Sequence, residues 1–143
     1  NLAAALGAFS FGYVQDRVGH KLALGATLVG WIATCIIAAL TTSKGGFWYA
    51  AAIAGLCMGS SQSAGRAMAG VLAPPGQLGE FFGLWTFAIR LASIFGPLMY
   101  GLITWMTGGN QRIAIGSTAI LFAVGLVLLQ KVDMARGRQA AIA

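Results

Sequence analysis

The sequence has few charged residues, few prolines and no set of residues suited to catalysis. Charged residues make up 8% of the 143 positions, with nine Lys and Arg against three Asp and Glu. A soluble domain carries about 25%, so a water-facing surface could not be covered and a soluble fold is excluded. One histidine and three scattered acids supply neither a nucleophile–base set nor a metal-ligand cluster. We therefore predict no enzymatic activity, no metal and no cofactor.

Cysteine usage and the distribution of positive charge exclude two further classes. Cys35 and Cys57 each lie in an apolar run and are too few for a disulfide framework, so we interpret them as small packing residues. The net charge of +6 comes from Lys and Arg residues spread along the chain. A nucleic-acid-binding surface would concentrate them in a patch or stripe, so no nucleic-acid partner is predicted.

Apolar residues dominate what remains. They make up 58% of the chain, the mean hydropathy is +0.80, and they form five runs: residues 2–14, 22–40, 47–72, 81–106 and 113–129. Continuous runs favour membrane helices over the alternating strands of a barrel. A spanning helix needs about 20 residues, so the first helix is expected to be truncated at its start. The predicted environment is the lipid bilayer.

The links between the runs are short, which makes neighbouring helices antiparallel. Basic residues then divide unequally between the two sides of the membrane. The first link and the C-terminal tail share one side and carry Arg17, Lys21, Lys131, Arg136 and Arg138, whereas the other side carries Lys44 and Arg112. Cytoplasmic loops are enriched in Lys and Arg. We expect a cytoplasmic C-terminus, in a bacterial plasma (inner) membrane.

The first link resembles the signature loop of the major facilitator superfamily. The matching residues are Gly12, Asp16, Arg17, Gly19, Lys21 and Leu24, while Gln15 and His20 depart from the pattern. The resemblance implies that Asp16 and Arg17 latch a cytoplasmic gate, with Arg66 of the third run coupled to Asp16. A solvated charged turn that only fixes topology is the alternative interpretation.

Other stretches are similar to the C-terminal half of the Unknown Major Facilitator group, which includes the autophagy-related vacuolar amino-acid effluxers. They are Pro74-Pro75-Gly76, residues 80–83 and the tail 132–138. The resemblance implies an all-α membrane fold in which residues 1–143 form one bundle, five transmembrane helices of a six-helix half. These would be helices 8 to 12 of 12, with the absent N-terminal half as partner. A reading as helices 2 to 6 stays open, although the short basic tail favours the first.

One arginine lies deep in an apolar run and marks a candidate substrate site. Arg90 follows Glu80 by ten residues, about 15 Å along a helix and thus near the bilayer midplane. Thr86 and Ser93 fall on its face. We predict that these three residues contact an anionic or carboxylate group of a substrate. A structural ion pair between Arg90 and the absent half is the alternative.

Polar and small residues elsewhere complete the prediction. Gln62 and Ser63 are candidates for lining the same cavity, or for bridging helices. Gly96 and Pro97 predict a helix bend. The expected function is secondary transport of a small polar or anionic solute (an amino acid or organic anion) by alternating access. A transporter-like sensor or scaffold that binds ligand without flux is the alternative.

Overall fold

The computed structural model describes residues 2–142, which fold into six α-helices and no strand. The helices are α1 (Leu2–Val18), α2 (His20–Leu40), α3 (Lys44–Leu72), α4 (Leu78–Met106), α5 (Gln111–Lys131) and α6 (Met134–Ile142). Asn1 and Ala143, which the sequence analysis placed in the same bundle, lie outside the described residues. The all-α prediction is confirmed, and each of the five apolar runs forms a helix.

Three of these helices are long and apolar enough to cross a membrane. They are α2, α4 and α5, with mean hydropathies of 2.1, 1.5 and 2.2. Helix α1 has only 17 residues. In α3 the mean hydropathy is lowered by glycine, serine, Gln62 and Arg66. Among the described residues, three helices are therefore candidate spans, and the bundle of five transmembrane helices stays a prediction.

Helix α3 lies at the centre of the bundle. It packs along α1 on one side and α2 on another, and α2 in turn packs along α5. Helix α4 contacts α3 and α5 much less and has no buried residue. The bundle therefore has one well-packed part, made of α1, α2, α3 and α5, and one helix with most of its surface uncovered.

Small residues bring α1 and α3 into close contact. A methyl group at Gly59 would overlap the Ala4 carbonyl and the backbone nitrogen of Ala8, and one at Gly55 would press on Ala3. The spacing of Gly55 and Gly59 predicts this packing strip, and the structure confirms it. The fully buried Ser60 hydroxyl lies in the same contact and is 3.2 Å from the Gly7 carbonyl of α1.

A single residue, Gly19, joins α1 to α2. Its φ is +90°, a region that side chains disfavour and glycine adopts freely. The Gly19 N–H donates to the Gln15 carbonyl at 2.9 Å, and its own carbonyl accepts from Ala23 at 3.1 Å. Gly19 therefore forms a tight reversal between the two helices.

Helix α6 was not predicted, since the sequence analysis treated this stretch as a tail. The Asp133 carboxylate caps the helix by accepting from the backbone N–H groups of Ala135 and Arg136 at 3.0 and 3.1 Å. Gly137 packs on Leu72 at the end of α3. The carboxylate cap and this tertiary contact stabilise a helix that has no apolar run.

Helix α4 continues through Pro97 without a break. Proline has no N–H to donate to the carbonyl one turn earlier, which belongs to Ser93. The helix therefore lacks one internal hydrogen bond near its middle. The bend at Gly96 and Pro97 stays a prediction.

The contact at Gly59 yields a stability test. Gly59→Ala should lower the free energy of unfolding by about 1–3 kcal/mol, because the added methyl overlaps the backbone of α1. Gly83→Ala is the matched control, since Gly83 faces open space on α4 and alanine favours helix by up to about 1 kcal/mol. Thermal unfolding of both variants in detergent micelles measures the difference. Equal effects would contradict the proposed close contact.

Candidate functional site

A cavity of about 600 Å³ that is lined by four polar side chains lies where α1, α3 and α4 meet. Its polar side chains come from two helices, and small or aromatic residues complete the wall. The lining residues are Ala8, Gln15, Gly59, Gln62, Ser63, Arg66, Ala67, Gly70 and Phe82. The structure therefore brings Gln62, Ser63 and Arg66 together with Gln15, a residue that the sequence analysis did not select.

The α3 wall follows from helix periodicity. Gln62 and Arg66 are four residues apart and lie one above the other, with Ser63 beside them. Gly59 and Gly70 lie on the same side of α3 at either end of this polar group. Gly59 faces the backbone of α1 and Gly70 faces the Phe82 ring, so the neighbouring helices approach α3 closely at both ends of the polar group.

Helix α4 forms the opposite wall near its start. The Arg66 guanidinium carbon lies 5.4 Å from the centre of the Trp85 ring, a cation–π distance. Phe82 lies against Gly70, and Trp85 lies against Gly65. These contacts show that α3 and α4 run antiparallel, with Arg66 level with Trp85.

Arg90, Thr86 and Ser93 lie further along α4, and all three are exposed. None of the three lines the cavity. At about 100° per residue, Arg90 lies roughly 140° around α4 from Trp85, the residue that contacts Arg66. The structure therefore does not bring Arg90 into the cavity, and its contact with a substrate stays a prediction. We call the cavity between α3 and the start of α4 the α3–α4 cleft.

The hydroxyl groups of Thr86 and Ser93, the predicted neighbours of Arg90, already form hydrogen bonds within α4. Thr86 donates to the Phe82 carbonyl at 2.8 Å, and Ser93 donates to the Arg90 carbonyl at 2.7 Å. Their oxygens can still accept hydrogen bonds. For Thr86 or Ser93 to donate to an anion, these internal hydrogen bonds would therefore have to break, whereas the Arg90 side chain makes no hydrogen bond within residues 2–142.

Gln15 shows where sequence reasoning was incomplete. Its side chain is 8% exposed, and its Oε1 has no hydrogen-bond partner among residues 2–142. A buried amide without a partner costs about 1–3 kcal/mol. The sequence analysis noted Gln15 only as a departure from the signature pattern. The departure from the signature pattern was the only sign in the sequence that Gln15 is unusual. The structure adds that its side chain is buried against α3.

The charged turn before α2 lies at the end of α1. The Arg17 side chain donates to the Tyr13 hydroxyl and lies over the Tyr13 ring at 4.6 Å. Asp16 is exposed and shares a surface with Gly12. Among residues 2–142, no ion pair within 4.0 Å joins Asp16 to Arg17 or Arg66. The turn therefore presents an unpaired carboxylate, and the gate role of Gly12, Asp16, Arg17, Gly19, Lys21 and Arg66 stays a prediction.

Lys21 has a structural contact that the signature pattern does not suggest. Its Nζ donates to the carbonyl oxygens of Gln130 and Val132, at 2.9 and 2.6 Å. A cation is unfavourable near the start of its own helix, α2, but favourable at the C-terminal end of α5. Lys21 therefore joins the two helices by capping α5.

The fold and the cleft are those of a helical membrane protein. Three of its helices are long and apolar enough to cross a bilayer, and four polar side chains line one cavity between helices. The chain belongs to the family described as vacuole effluxer Atg22 like, which matches residues 1–142.

Three relatives illustrate the family. The chain is 29% identical over 119 residues to the uncharacterized MFS-type transporter YxiO of Bacillus subtilis, covering 83% of this chain and 28% of the relative. It is 35% identical over 100 residues to autophagy-related protein 22 of Cryptococcus neoformans, covering 70% and 18%. It is 39% identical over 92 residues to autophagy-related protein 22-1 of Penicillium rubens, covering 64% and 15%.

The chain therefore spans less than a third of the length of each of these relatives. No solved structure matches it. The resemblance to the major facilitator superfamily and to the vacuolar effluxers is confirmed. The family and the Bacillus subtilis relative are described as an effluxer and an MFS-type transporter, not as enzymes. Because the relatives come from a bacterium and from fungi, the family indicates a membrane protein without specifying a bacterial inner membrane.

The Lys21 contact yields a second test. Lys21→Met should lower the free energy of unfolding by about 1.5–3 kcal/mol, because it removes charge-assisted hydrogen bonds from the end of α5. Lys131→Met is the control, since it removes an exposed lysine from the last turn of the same helix. Thermal unfolding in detergent measures both. A Lys21→Met protein as stable as the control would rule out the capping role.

Proposed function

We propose that the full-length protein is a secondary transporter, and that this chain supplies helices 8 to 12 of 12. The transported solute is small and either polar or anionic, with amino acids and organic anions as the first candidates. The observation that carries the proposal is the α3–α4 cleft. Arg90 lies outside this cavity, on the uncovered surface of α4. Because arginine is expensive inside a membrane, it requires water or a polar partner there, as a solute or a second bundle would supply.

The uncovered surface of α4 supports a mechanism of alternating access. No residue of α4 is buried by the other described helices. In this proposal a second bundle, formed by the rest of the protein, covers that surface and closes the cleft from the other side. Rocking of one bundle against the other would then expose the solute to each side of the membrane in turn.

The turn around Asp16 would act as the gate of this mechanism. Its carboxylate is exposed and forms no ion pair with the neighbouring arginines among the described residues. A charged group of the second bundle can therefore pair with it in one state and release it in the other. Arg17 is held on Tyr13, which keeps it away from the carboxylate. We place this turn and α6 in the cytoplasm, at a bacterial plasma membrane, because the basic residues concentrate there.

Flux measured in liposomes tests the proposal. The full-length protein should take up one class of radiolabelled solute among amino acids, organic anions and sugars. Arg90→Ala should lower the apparent affinity about 10- to 100-fold, since a hydrogen bond to a charged group contributes about 1.5–3 kcal/mol. Arg136→Ala is the control, because Arg136 is exposed on α6, outside the cleft.

Two outcomes would contradict the proposal. Solute binding without uptake would identify a sensor or scaffold instead of a transporter. If the Arg90→Ala protein folds as the wild type does and its uptake is unchanged, Arg90 has a structural role and does not bind the solute.

A further inference from the structure

We infer that a pocket at one membrane surface of the bundle binds the headgroup of an anionic phospholipid that carries hydroxyl groups, such as phosphatidylglycerol. The pocket has a volume of about 480 Å³ and lies between the α1–α2 turn, the end of α3 and the start of α6. We call it the α2–α6 pocket. Among the described residues it shares only Gln15 with the α3–α4 cleft, and none of its lining residues belongs to α4. Lipid binding here can be measured without any flux and is therefore independent of the proposed transport.

The α2–α6 pocket lies at the level where the apolar part of the bundle ends. Helix α2 begins at His20 and α5 ends at Lys131, and these are the two most apolar candidate spans, with mean hydropathies of 2.1 and 2.2. The hydrogen bonds from Lys21 to the end of α5 hold the two helix ends at one level. Because headgroups lie just outside the hydrocarbon core, a lipid beside α2 or α5 places its phosphate at the level of this pocket.

Two helices offer the pocket hydrogen-bond donors that suit a phosphate. Residues 19–22, at the start of α2, line the pocket. The first N–H groups of a helix have no partner within it, and the helix dipole favours an anion there. Gly19 has no side chain that could cap these groups. Arg138 of α6 lines the same pocket, and its guanidinium can form two parallel hydrogen bonds with phosphate oxygens.

Gln15 and His20 give a second, independent indication of a polar ligand. The Gln15 side chain is 8% exposed. Its Oε1 and the Nδ1 of His20 are buried without a hydrogen-bond partner among residues 2–142, and both residues line the pocket. A buried polar atom without a partner is costly. The last torsion of a glutamine has a broad energy minimum, so the Gln15 amide can turn to accept a hydrogen bond from a headgroup hydroxyl.

The charges of the lining side chains favour a phosphate with a single negative charge. Lys21 and Arg138 are cationic and Asp16 is anionic, so the side chains carry a net positive charge. Asp16 is exposed, and it can accept a hydrogen bond from a hydroxyl but would repel a more highly charged anion. Val71 and Met134 add apolar surface, which suits the part of a lipid next to its headgroup. A phosphodiester that carries hydroxyl groups meets all of these conditions.

Helix α6 offers a matched control for the charge of Arg138. Arg136 is exposed and does not line the pocket. The two arginines are two residues apart and therefore lie about 160° apart around the helix. Gly137 and the buried Ala141 pack towards the bundle. Substituting Arg136 or Arg138 by glutamine thus removes the same charge from the same helix, but only Arg138 can contact a ligand in the pocket.

Lipid binding to the purified full-length protein tests the inference. Delipidated protein in detergent micelles is titrated with phosphatidylglycerol, phosphatidylethanol or phosphatidylcholine, and native mass spectrometry counts the bound lipids. The first two lipids carry one negative charge, phosphatidylglycerol alone has headgroup hydroxyls, and phosphatidylcholine is zwitterionic. The variants are Arg138→Gln, Arg138→Lys and Arg136→Gln, and thermal unfolding without added lipid checks that each of them folds.

We expect phosphatidylglycerol to bind about tenfold or more tightly than phosphatidylcholine, since one hydrogen bond to a charged group contributes at least that factor. Arg138→Gln should remove most of this preference, and Arg138→Lys should retain part of it. Arg136→Gln should leave the preference unchanged. Phosphatidylethanol should bind with intermediate affinity, because it has the charge without the hydroxyl groups.

Three results would overturn the inference. Equal binding of phosphatidylglycerol and phosphatidylcholine would exclude an anion site. Equal weakening by Arg136→Gln and Arg138→Gln would indicate a general attraction of α6 to anionic surfaces. Displacement of phosphatidylglycerol by inorganic phosphate would identify a soluble anion as the ligand. Phosphatidylethanol that binds as tightly as phosphatidylglycerol would contradict the role given to the hydroxyl groups and to Gln15.

Discussion

The packing of α1 and α2 against the small residues of α3 is the contact on which the rest of the bundle depends. In lipid, apolar surfaces gain little from meeting each other, so helices associate through close approach and through hydrogen bonds between them. Gly59 permits that approach on the α1 side, and the fully buried Ala64 belongs to the same helix. With two sides of α3 occupied in this way, Gln62 and Arg66 are left on a remaining side, next to α4. The location of the cleft is thus a result of helix packing.

The contact between α2 and α5 uses a different arrangement. Trp31 and Phe122 stack in parallel with ring centres 5.3 Å apart, and the Lys21 ammonium closes the same pair of helices at the membrane end. The aromatic pair suits the apolar middle of the two helices. The Lys21 ammonium suits their end, where it can stay near water. Helix α5 is therefore held to the central pair α2 and α3 without any polar residue of the cleft.

The sequence predicts the helices well and the cleft only in part. The run at residues 22–40 corresponds to a helix that starts two positions earlier, at His20, because polar residues begin a helix that apolar residues continue. Helix α6 was missed because its stability comes from Asp133 and from contact with Leu72, which periodicity does not reveal. Gln62 and Ser63 were selected as cavity residues and do line a cavity, whereas the burial of Gln15 depends on how α1 meets α3. The position of Arg66 beside Trp85 likewise required the tertiary structure.

Helix α4 is supported near its two ends and free between them. Phe82 and Trp85 rest on α3, and Tyr100 and Ile103 lie towards α5. A helix that is packed only near its ends can bend most easily between them. In α4 the internal hydrogen bond that Pro97 cannot donate is missing from this part of the helix. A sideways push from a neighbouring helix would therefore be taken up as curvature of α4, which moves its first half, beside α3, relative to its last turns, beside α5.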